Sequence, residues 1–268
     1  SNINLVPDSV SMDAILYFYF KLRQPDQAYK ILQEDILAQG NNNSKFLKPT
    51  LHGMNAIISA YAKDGNVDKA REILELMLVE PTMPPPNVVS FNALLDAIAK
   101  KSDKGAGMDA GSVLAWMEDL SIYPDTISYT TAISAWYKSQ DHRTAEKVEA
   151  ILRHMAELHV SGARKNVAPN EVTFSTVIHA WAISGHHEAL PRAFAVIELV
   201  MKLHQEHYLP RGKLTPIFNS LIFAFAKAKD HNAKERVLNA VEQMNQLGIA
   251  ANAITHNAIL QVFMNNNG

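Results

Sequence analysis

The segment SFNALLDAIAKKSD, residues 90–103, is the clearest copy of a motif that recurs along the chain. A small polar residue, an aromatic residue and Asn are followed by a stretch rich in Ala and Leu, and the segment closes with Lys and Asp. Related segments recur at intervals of 37 to 45 residues. They are SMDAILYFYFKLRQ from Ser11, GMNAIISAYAKDGN from Gly53, SYTTAISAWYKSQD from Ser128, TFSTVIHAWAISGH from Thr173, IFNSLIFAFAKAKD from Ile217 and THNAILQVFM from Thr255. A period of about 40 residues without period-two alternation is typical of helical-hairpin solenoids.

Each unit contains a second segment whose apolar residues are three and four positions apart, as in Ile73, Leu74 and Met77. This spacing places the apolar side chains on one face and indicates a second helix. Prolines follow these segments at positions 84–86, 124, 169, 210 and 216. Because proline cannot continue a helix, the sequence predicts a repeated order of helix, short turn, helix and proline-marked loop.

The composition restricts the function classes. The chain has 268 residues, of which 47% are hydrophobic and 19% are charged, and it contains no Cys. This excludes disulfides, a thiolate nucleophile and cysteine-ligated zinc, and it fits a reducing compartment. No apolar run approaches the roughly 20 residues that cross a bilayer, and residues 1–10 lack the order of a signal peptide. The net charge of −2 is not the basic field of a duplex-DNA binder, so nucleic-acid binding must depend on local charge.

Small residues occupy one fixed place in the first helices, where they allow a neighbouring helix to approach closely. They are Ala60, Ala97, Ala135, Ala180 and Ala224. Trp136, Trp181 and Phe225 come directly after three of them. We expect these rings, and that of Trp116, to be core residues rather than base-stacking platforms.

Polar residues recur inside the first turns of the otherwise apolar first helices. They are Asn55, Asn92, Thr130, Ser175, Asn219 and Asn257. Asn, Thr and Ser cost a few tenths of a kcal/mol each relative to Ala in a helix, so a repeated role must compensate. Either they bind a ligand, or they make hydrogen bonds between repeats or late caps. Four of these polar residues have a good N-cap residue five positions earlier in the chain. The N-cap residues are Asn87, Asp125, Asn170 and Asn252.

Together, the aromatic-plus-polar opening, the small-residue helix, the Lys, the Asp or Gly turn and the Pro-Asp or Pro-Asn exit resemble the pentatricopeptide repeat family. The resemblance spans nearly the whole chain and implies an all-α, right-handed α-solenoid superhelix of about six and a half helix-turn-helix hairpins. The expected single array runs over residues 1–268, with repeats at about 9–50, 51–87, 88–125, 126–170, 171–214, 215–252 and, in part, 253–268. Both ends lack a polar cap, so we expect a fragment of a longer protein.

The repeats starting near Ser128 and Thr173 are about ten residues longer than the usual repeat of roughly 35 residues. We expect most of the extra residues in long loops at 159–167 and 204–214, with smaller insertions near 104–107 and 231–233.

The resemblance implies that two polar residues of a unit read the Watson–Crick edge of one unpaired RNA base, with the exit residue orienting the first. The implied readers are Asn55 with Asn87 for a pyrimidine, Asn92 with Asp125 for uridine, Thr130 with Asn170 for adenosine, and Asn219 with Asn252 for a pyrimidine. Ser175 with Leu214 and Asp13 with Thr50 match no known pair, and Asn257 lacks its exit partner. The implied partial target is pyrimidine, U, A, undetermined and pyrimidine from 5′ to 3′.

Two further sets of residues support a nucleic-acid face. In the family, the apolar residue three before each reader clamps the base. Here these residues are Val89, Ile127, Val172, Pro216 and Ile254, with Val10 and His52 in the same place of the earlier units. Eight residues after the readers a line of positive charge is predicted to contact phosphates, although lysines also favour helix ends. It consists of Lys21, Lys63, Lys100, Lys138 and Lys227, and Ile183 interrupts it.

No group of residues predicts catalysis or a metal site. The pairs His186 with His187 and His204 with His207 lack a supporting carboxylate or Cys, and Ser175 with His179 lacks a placed acid. The motifs of added nuclease or deaminase domains are missing. We expect a non-enzyme without a cofactor, a membrane contact or a small-molecule substrate.

The implied partners are single-stranded RNA and other proteins of an RNA-processing complex, in a mitochondrion or plastid, with a role in RNA processing, stability or translation. The alternative is a protein-binding scaffold or a subunit of a large ribonucleoprotein assembly, which the uneven repeat lengths favour.

Overall fold

The computed structural model describes residues 9–38, 49–227 and 232–265, and within them the protein is all-α. These residues form thirteen α-helices, and no strand occurs among them. The helices are α1 (Ser9–Lys21), α2 (Pro25–Ala38), α3 (Leu51–Lys63), α4 (Val67–Val79), α5 (Val88–Lys101), α6 (Ala106–Asp119), α7 (Thr126–Ser139), α8 (Thr144–Val160), α9 (Glu171–Ile183), α10 (Ala189–Gln205), α11 (Leu214–Lys227), α12 (Ala233–Gln246) and α13 (Ala253–Asn265). A 3₁₀ turn, Arg211–Lys213, leads into α11. The all-α class and the hairpin order predicted from the repeat are confirmed.

The chain divides into two compact units, Ser1–Lys138 and Ser139–Gly268. In the first unit the first helices of successive hairpins, α1, α3 and α5, pack side by side. The second helices pack behind them, because α2, α4 and α6 each contact the first helix of their own hairpin, and α2 and α4 also contact that of the next. This two-layer packing buries the apolar stripe of every helix.

The second unit repeats this arrangement. Helices α9, α11 and α13 pack side by side, while α10 and α12 each contact the first helices of two successive hairpins. None of the helices in the described ranges has both the length and the apolar character needed to cross a membrane.

The core consists of the small and aromatic residues that the repeat predicted. The five fixed Ala residues are buried, as are Trp136, Trp181 and Phe225. Trp116 is half-buried and packs edge-on against Phe91, with ring centroids 5.1 Å apart. The predicted core role of these rings is confirmed. Helices α6 and α7 also pack closely at Gly107, where an added Cβ would lie 2.3 Å from the Trp136 ring.

Most of the extra length of the fourth and fifth repeats lies after the second helices, as expected for 159–167 and 204–214, but about one turn of it is helical. Helices α8 and α10 have 17 residues each, and they continue to Val160 and Gln205. Most other helices have 13 or 14 residues, so about one additional turn is helical. The remaining residues are anchored: Val167 and Leu209 are buried, and the rings of His159 and Tyr208 lie 4.8 Å apart.

The smaller predicted insertions have two outcomes. The first is shorter than expected, because α6 already begins at Ala106. At the second, His231 lies outside the described residues and α12 begins at Ala233.

Candidate nucleic-acid interface

Asn92, on the first turns of α5, is held by two residues at the start of α7. Its side-chain Oδ1 accepts a hydrogen bond from Ser128 Oγ at 2.6 Å, and its Nδ2 donates to Asp125 Oδ1 at 3.2 Å. Asp125 and Ser128 also cap α7 reciprocally: Ser128 N donates to Asp125 Oδ1 at 2.9 Å, and Asp125 N donates to Ser128 Oγ at 3.1 Å. This reciprocal pair is a capping box. Residues more than 30 positions apart thus form one fixed polar cluster.

The same cluster recurs at two other junctions. Asn55 Oδ1 accepts from Ser90 Oγ at 2.6 Å, and Asn55 Nδ2 lies 3.5 Å from Asn87 Oδ1. In the second unit, Asn219 Oδ1 accepts from Thr255 Oγ1 at 2.7 Å, and Asn219 Nδ2 donates to Asn252 Oδ1 at 3.3 Å. We name these three clusters, centred on Asn55, Asn92 and Asn219, the amide clusters. In each of them the reader and the exit residue of the predicted pair are in contact.

The Ser or Thr at the third helical position was not assigned a role from the sequence. Ser90, Ser128 and Thr255 are fully buried, and each bridges a reader and an exit residue. The signal was present, because each of these residues stands two positions before a reader and three after its N-cap, the spacing of a capping box. Both structural alternatives, an inter-repeat hydrogen bond for the readers and an N-cap for the exit residues, are therefore present here.

These hydrogen bonds leave part of each amide available. A primary amide has two N–H donors and an acceptor with two lone pairs, and a cluster uses one donor and one lone pair. The bonds fix the direction of the unused donor and lone pair.

Thr130 and Asn170 belong to different units. The Thr130 hydroxyl donates to the backbone oxygen of Thr126 at 2.7 Å, one turn earlier in its own helix. Asn170 caps α9 in a capping box with Thr173, accepting from Val172 N and Thr173 N at 3.0 Å each.

Ser175 has no amide cluster because the residues that would complete one are apolar. Leu214 stands at the exit position and Ile217 at the bridging position, and both are fully buried. Within the part of the chain that the structure describes, the shielded Ser175 Oγ has no hydrogen-bond partner.

The first repeat has a different cluster. Asp13 bonds Thr50, accepting from its hydroxyl and, at 3.1 Å, from its backbone N–H. Gly53 takes the bridging position because an added Cβ there would lie 2.4 Å from the Asp13 carboxylate. At the other end of the described residues, Asn257 is exposed on α13.

A cleft lies beside an amide cluster in each unit. In the first unit a cleft of about 620 Å³ is lined by Tyr17, Phe20, His52, Asn55 and Val89, among others. In the second unit a cleft of about 470 Å³ is lined by Ser175, His179, Pro216, Asn219, Phe223, Asn252, Ile254 and Asn257, among others. The first-helix surfaces therefore place the predicted readers and clamps around the same concavities.

The predicted clamp residues are unusually exposed for apolar side chains. Val89, Ile127, Val172 and Ile254 are 49% to 65% exposed, and Pro216 is exposed as well. Isolated exposed apolar residues are ordinary, but the repetition of this one helical position is not explained by the core.

Each of the five predicted phosphate-contacting lysines is exposed and has a neighbour within the protein. Lys100 forms an ion pair with Asp96 at 2.6 Å, and Lys138 Nζ donates to Ala99 O at 3.0 Å. The other three lie over aromatic rings. The distances to the ring centroids are 5.1 Å from Lys21 to Tyr17, 3.9 Å from Lys63 to Phe20 and 5.5 Å from Lys227 to Phe223.

Among the residues that the model describes, no three His, Asp or Glu side chains are grouped so that they could hold a metal ion. His186 and His187 stack on each other at the surface, with centroids 4.4 Å apart. His204 instead bonds Leu209 O through Nδ1 at 2.7 Å.

Comparisons with known proteins concern the repeats and the fold. The family model of the pentatricopeptide repeat domain matches residues 40–101 and 216–266. A pentatricopeptide repeat-containing protein of Arabidopsis thaliana is 32% identical over 101 residues, which are 37% of this chain and 17% of that protein. The matched residues are pentatricopeptide repeats. Another such protein of Arabidopsis thaliana is 31% identical over 135 residues, which are 50% of this chain and 27% of that protein.

Solved structures share the fold of these pentatricopeptide repeats. The pentatricopeptide repeat protein PPR10 from maize matches 94% of this chain and 31% of its own, with a TM-score of 0.62 and 22% identity. PPR10 in complex with an 18-nucleotide psaJ RNA element matches with a TM-score of 0.60 and 19% identity. The chain thus spans less than a third of these relatives.

Proposed function

We propose that this chain binds single-stranded RNA through its first-helix surface and selects bases with the amide clusters. The observation that carries the proposal is the repetition of one cluster at Asn55, Asn92 and Asn219, each with an oriented amide beside exposed apolar residues. The RNA complex of PPR10, a protein of the same fold, supports this choice of ligand.

The amide clusters also suggest how the readers select bases. In the cluster of Asn92, the Asp125 carboxylate accepts from the amide, and the Ser128 hydroxyl donates to it, so that the directions of its remaining N–H and lone pair are fixed. We propose that Asn92 with Asp125 reads uridine, and that Asn55 and Asn219 with their Asn partners read pyrimidines. Thr130 with Asn170 remains our proposed adenosine reader.

The proposed setting is organellar RNA processing, stability or translation, in a mitochondrion or plastid. This setting rests on the plant relatives and on the roles typical of the family. We propose other proteins of an RNA-processing complex as further partners. We propose that the chain acts by binding and has no catalytic step, cofactor or small-molecule substrate of its own.

The direct test is a titration of the 268-residue chain with single-stranded RNA containing pyrimidine, U, A, any base and pyrimidine, and with the same RNA annealed to its complement. We expect salt-dependent binding to the single strand and at least tenfold weaker binding to the duplex, because the bases of a duplex are not accessible. Equal binding to both forms, or no binding to RNA, would contradict the proposal and favour a protein-binding scaffold.

A further inference from the structure

Two aromatic rings line the cleft of the second unit, one helical turn beyond the reading positions. His179 follows Ser175 by four residues on α9, and Phe223 follows Asn219 by four residues on α11. Their ring centroids lie 4.8 Å apart and their planes differ by 38°. Both side chains are half-buried and line the cleft together with Ser175 and Asn219. We name this pair the ring step.

The ring step lies next to the repeat that lacks an amide cluster. Ser175 Oγ is shielded and has no hydrogen-bond partner within the described residues, and Leu214 and Ile217 offer no polar side-chain atom. Consequently, nothing orients a donor or an acceptor toward a base at this repeat. An aromatic face, by contrast, attracts any base, because every base has a π-face.

The first unit also has an aromatic residue in the cleft beside a repeat without an amide cluster. The Asp13 carboxylate is occupied by Thr50, and one turn later Tyr17 lines the cleft with 43% of its surface exposed and its ring 5.7 Å from that of Phe20. Where amide clusters exist in this unit, the matching positions carry Ser59 and Asp96, which cannot stack on a base. Among the described residues, both repeats whose reading pair departs from the pattern carry an aromatic residue at this position, Tyr17 and His179, and the repeat of Asn219 carries Phe223 there.

We propose that the nucleotide at the fifth repeat, residues 171–214, is held by stacking on the ring step and not by recognition of its base. The inference rests on the proposed RNA binding and adds a specific contact to it. Burial lowers the pKa of His179, so its imidazole is neutral at neutral pH and acts as an aromatic ring rather than a cation.

The test uses the full chain and one tight-binding RNA in which the nucleotide at this repeat is A, C, G, U or an abasic site. We expect the four bases to bind within about threefold of one another. The abasic RNA should bind about 5- to 100-fold more weakly, because stacking on one ring is lost. His179→Ser, which copies Ser59, should weaken binding of all four RNAs by a similar factor and abolish the difference from the abasic RNA.

Two variants separate this contact from effects on folding. His179→Phe keeps a ring and should bind like the unaltered chain, and the surface variant His187→Ser should bind normally. A preference above tenfold for one base, equal binding of the abasic RNA, or full affinity of His179→Ser would overturn the inference while leaving RNA binding intact. Absence of binding to every RNA would overturn the proposed function itself.

Discussion

At the residue scale, the bridging hydroxyls of Ser90, Ser128 and Thr255 hold one first helix to the next at three junctions. Ser128 Oγ accepts from Asp125 N and donates to Asn92 Oδ1, and the residue is fully buried. Its hydroxyl therefore serves a helix cap and a reader at once. The amide clusters stabilise the fold and orient the readers with the same atoms.

Replacing Ser128 with Ala should lower the free energy of unfolding by about 1–3 kcal/mol. The change removes half of a capping box and leaves Asn92 Oδ1 without its donor. Urea unfolding followed by circular dichroism measures the loss. The control is Ser112→Ala, because Ser112 is exposed and bonds only Met108 O of its own helix. It should change stability by less than about 0.5 kcal/mol, and equal losses in both variants would contradict a bridging role.

Glu72 should make stability depend on pH in the acid range. Hydrogen bonds from Lys69 at 2.7 Å and from Tyr29 at 2.5 Å hold the pKa of its carboxyl below the ordinary value. A lowered folded-state pKa adds stability above the unfolded-state pKa, and this stability is lost as the pH falls through the folded-state pKa. Because the carboxylate is partly exposed, we expect less than about 1 kcal/mol.

The measurement for Glu72 is the difference in unfolding free energy between the unaltered chain and Glu72→Gln, taken from pH 7 to pH 3. The difference should be largest at pH 7 and approach zero at pH 3. A constant difference over this range would show that the lowered pKa does not contribute.

The positions of the proposed readers were predictable at this scale, but their hydrogen bonds were not. The positions of Asn55, Asn92 and Asn219 and of their exit partners follow from counting along the repeat. The bridging role of Ser90 does not, because the hydrogen bond to Asn55 joins residues 35 apart and depends on how two hairpins stack. The missing partner of Ser175 was visible in the sequence, because counting along the repeat places Leu214 at the exit position.

At the element scale, the hairpins depend on close approach between helices. Gly107 on α6 faces the Trp136 ring of α7, and an added Cβ would come within 2.3 Å of it. Gly107→Ala should therefore destabilise the chain by about 1–3 kcal/mol despite the better helix propensity of Ala. Thermal unfolding measures this change.

The same helix supplies a matched control for Gly107. Nothing lies within 4 Å of a Cβ added at Gly111, so Gly111→Ala should stabilise the chain by about 0.5–1 kcal/mol through helix propensity alone. A stabilising effect of Gly107→Ala would mean that α6 and α7 separate readily.

The existence of the helices was predictable because their apolar stripes recur in every unit, and so was the place of most extra residues, but the additional turn of α8 and α10 was not. The sequence around residues 159 and 204 contains no helix-breaking residue before Gly162 and Pro210. Helices α8 and α10 consequently gain a turn. The first helices α9 and α11 keep lengths of 13 and 14 residues, and Ser175 and Asn219 are the fifth and sixth residues of these helices.

At the scale of the whole molecule, charge placement rather than net charge should govern RNA affinity. The chain carries a net charge of −2, yet five lysines occupy one register position. If all five neutralise phosphates, the slope of log K against log salt should be about −3.5. Lys63→Gln should reduce its magnitude by about 0.7, whereas Lys202→Gln, on the second-helix layer, should leave it unchanged. A slope near zero would mean that these lysines do not contact phosphate.

Selection of bound sequences from a random RNA pool examines base reading most directly. The experiment compares the unaltered chain with the double variant Asn92→Thr, Asp125→Asn. This change converts a proposed uridine reader into the residue types of Thr130 and Asn170. We predict that one position of the selected sequence changes from U to A while its neighbours stay the same. An unchanged U at that position, or selected pools without any base preference, would contradict reading by the amide clusters.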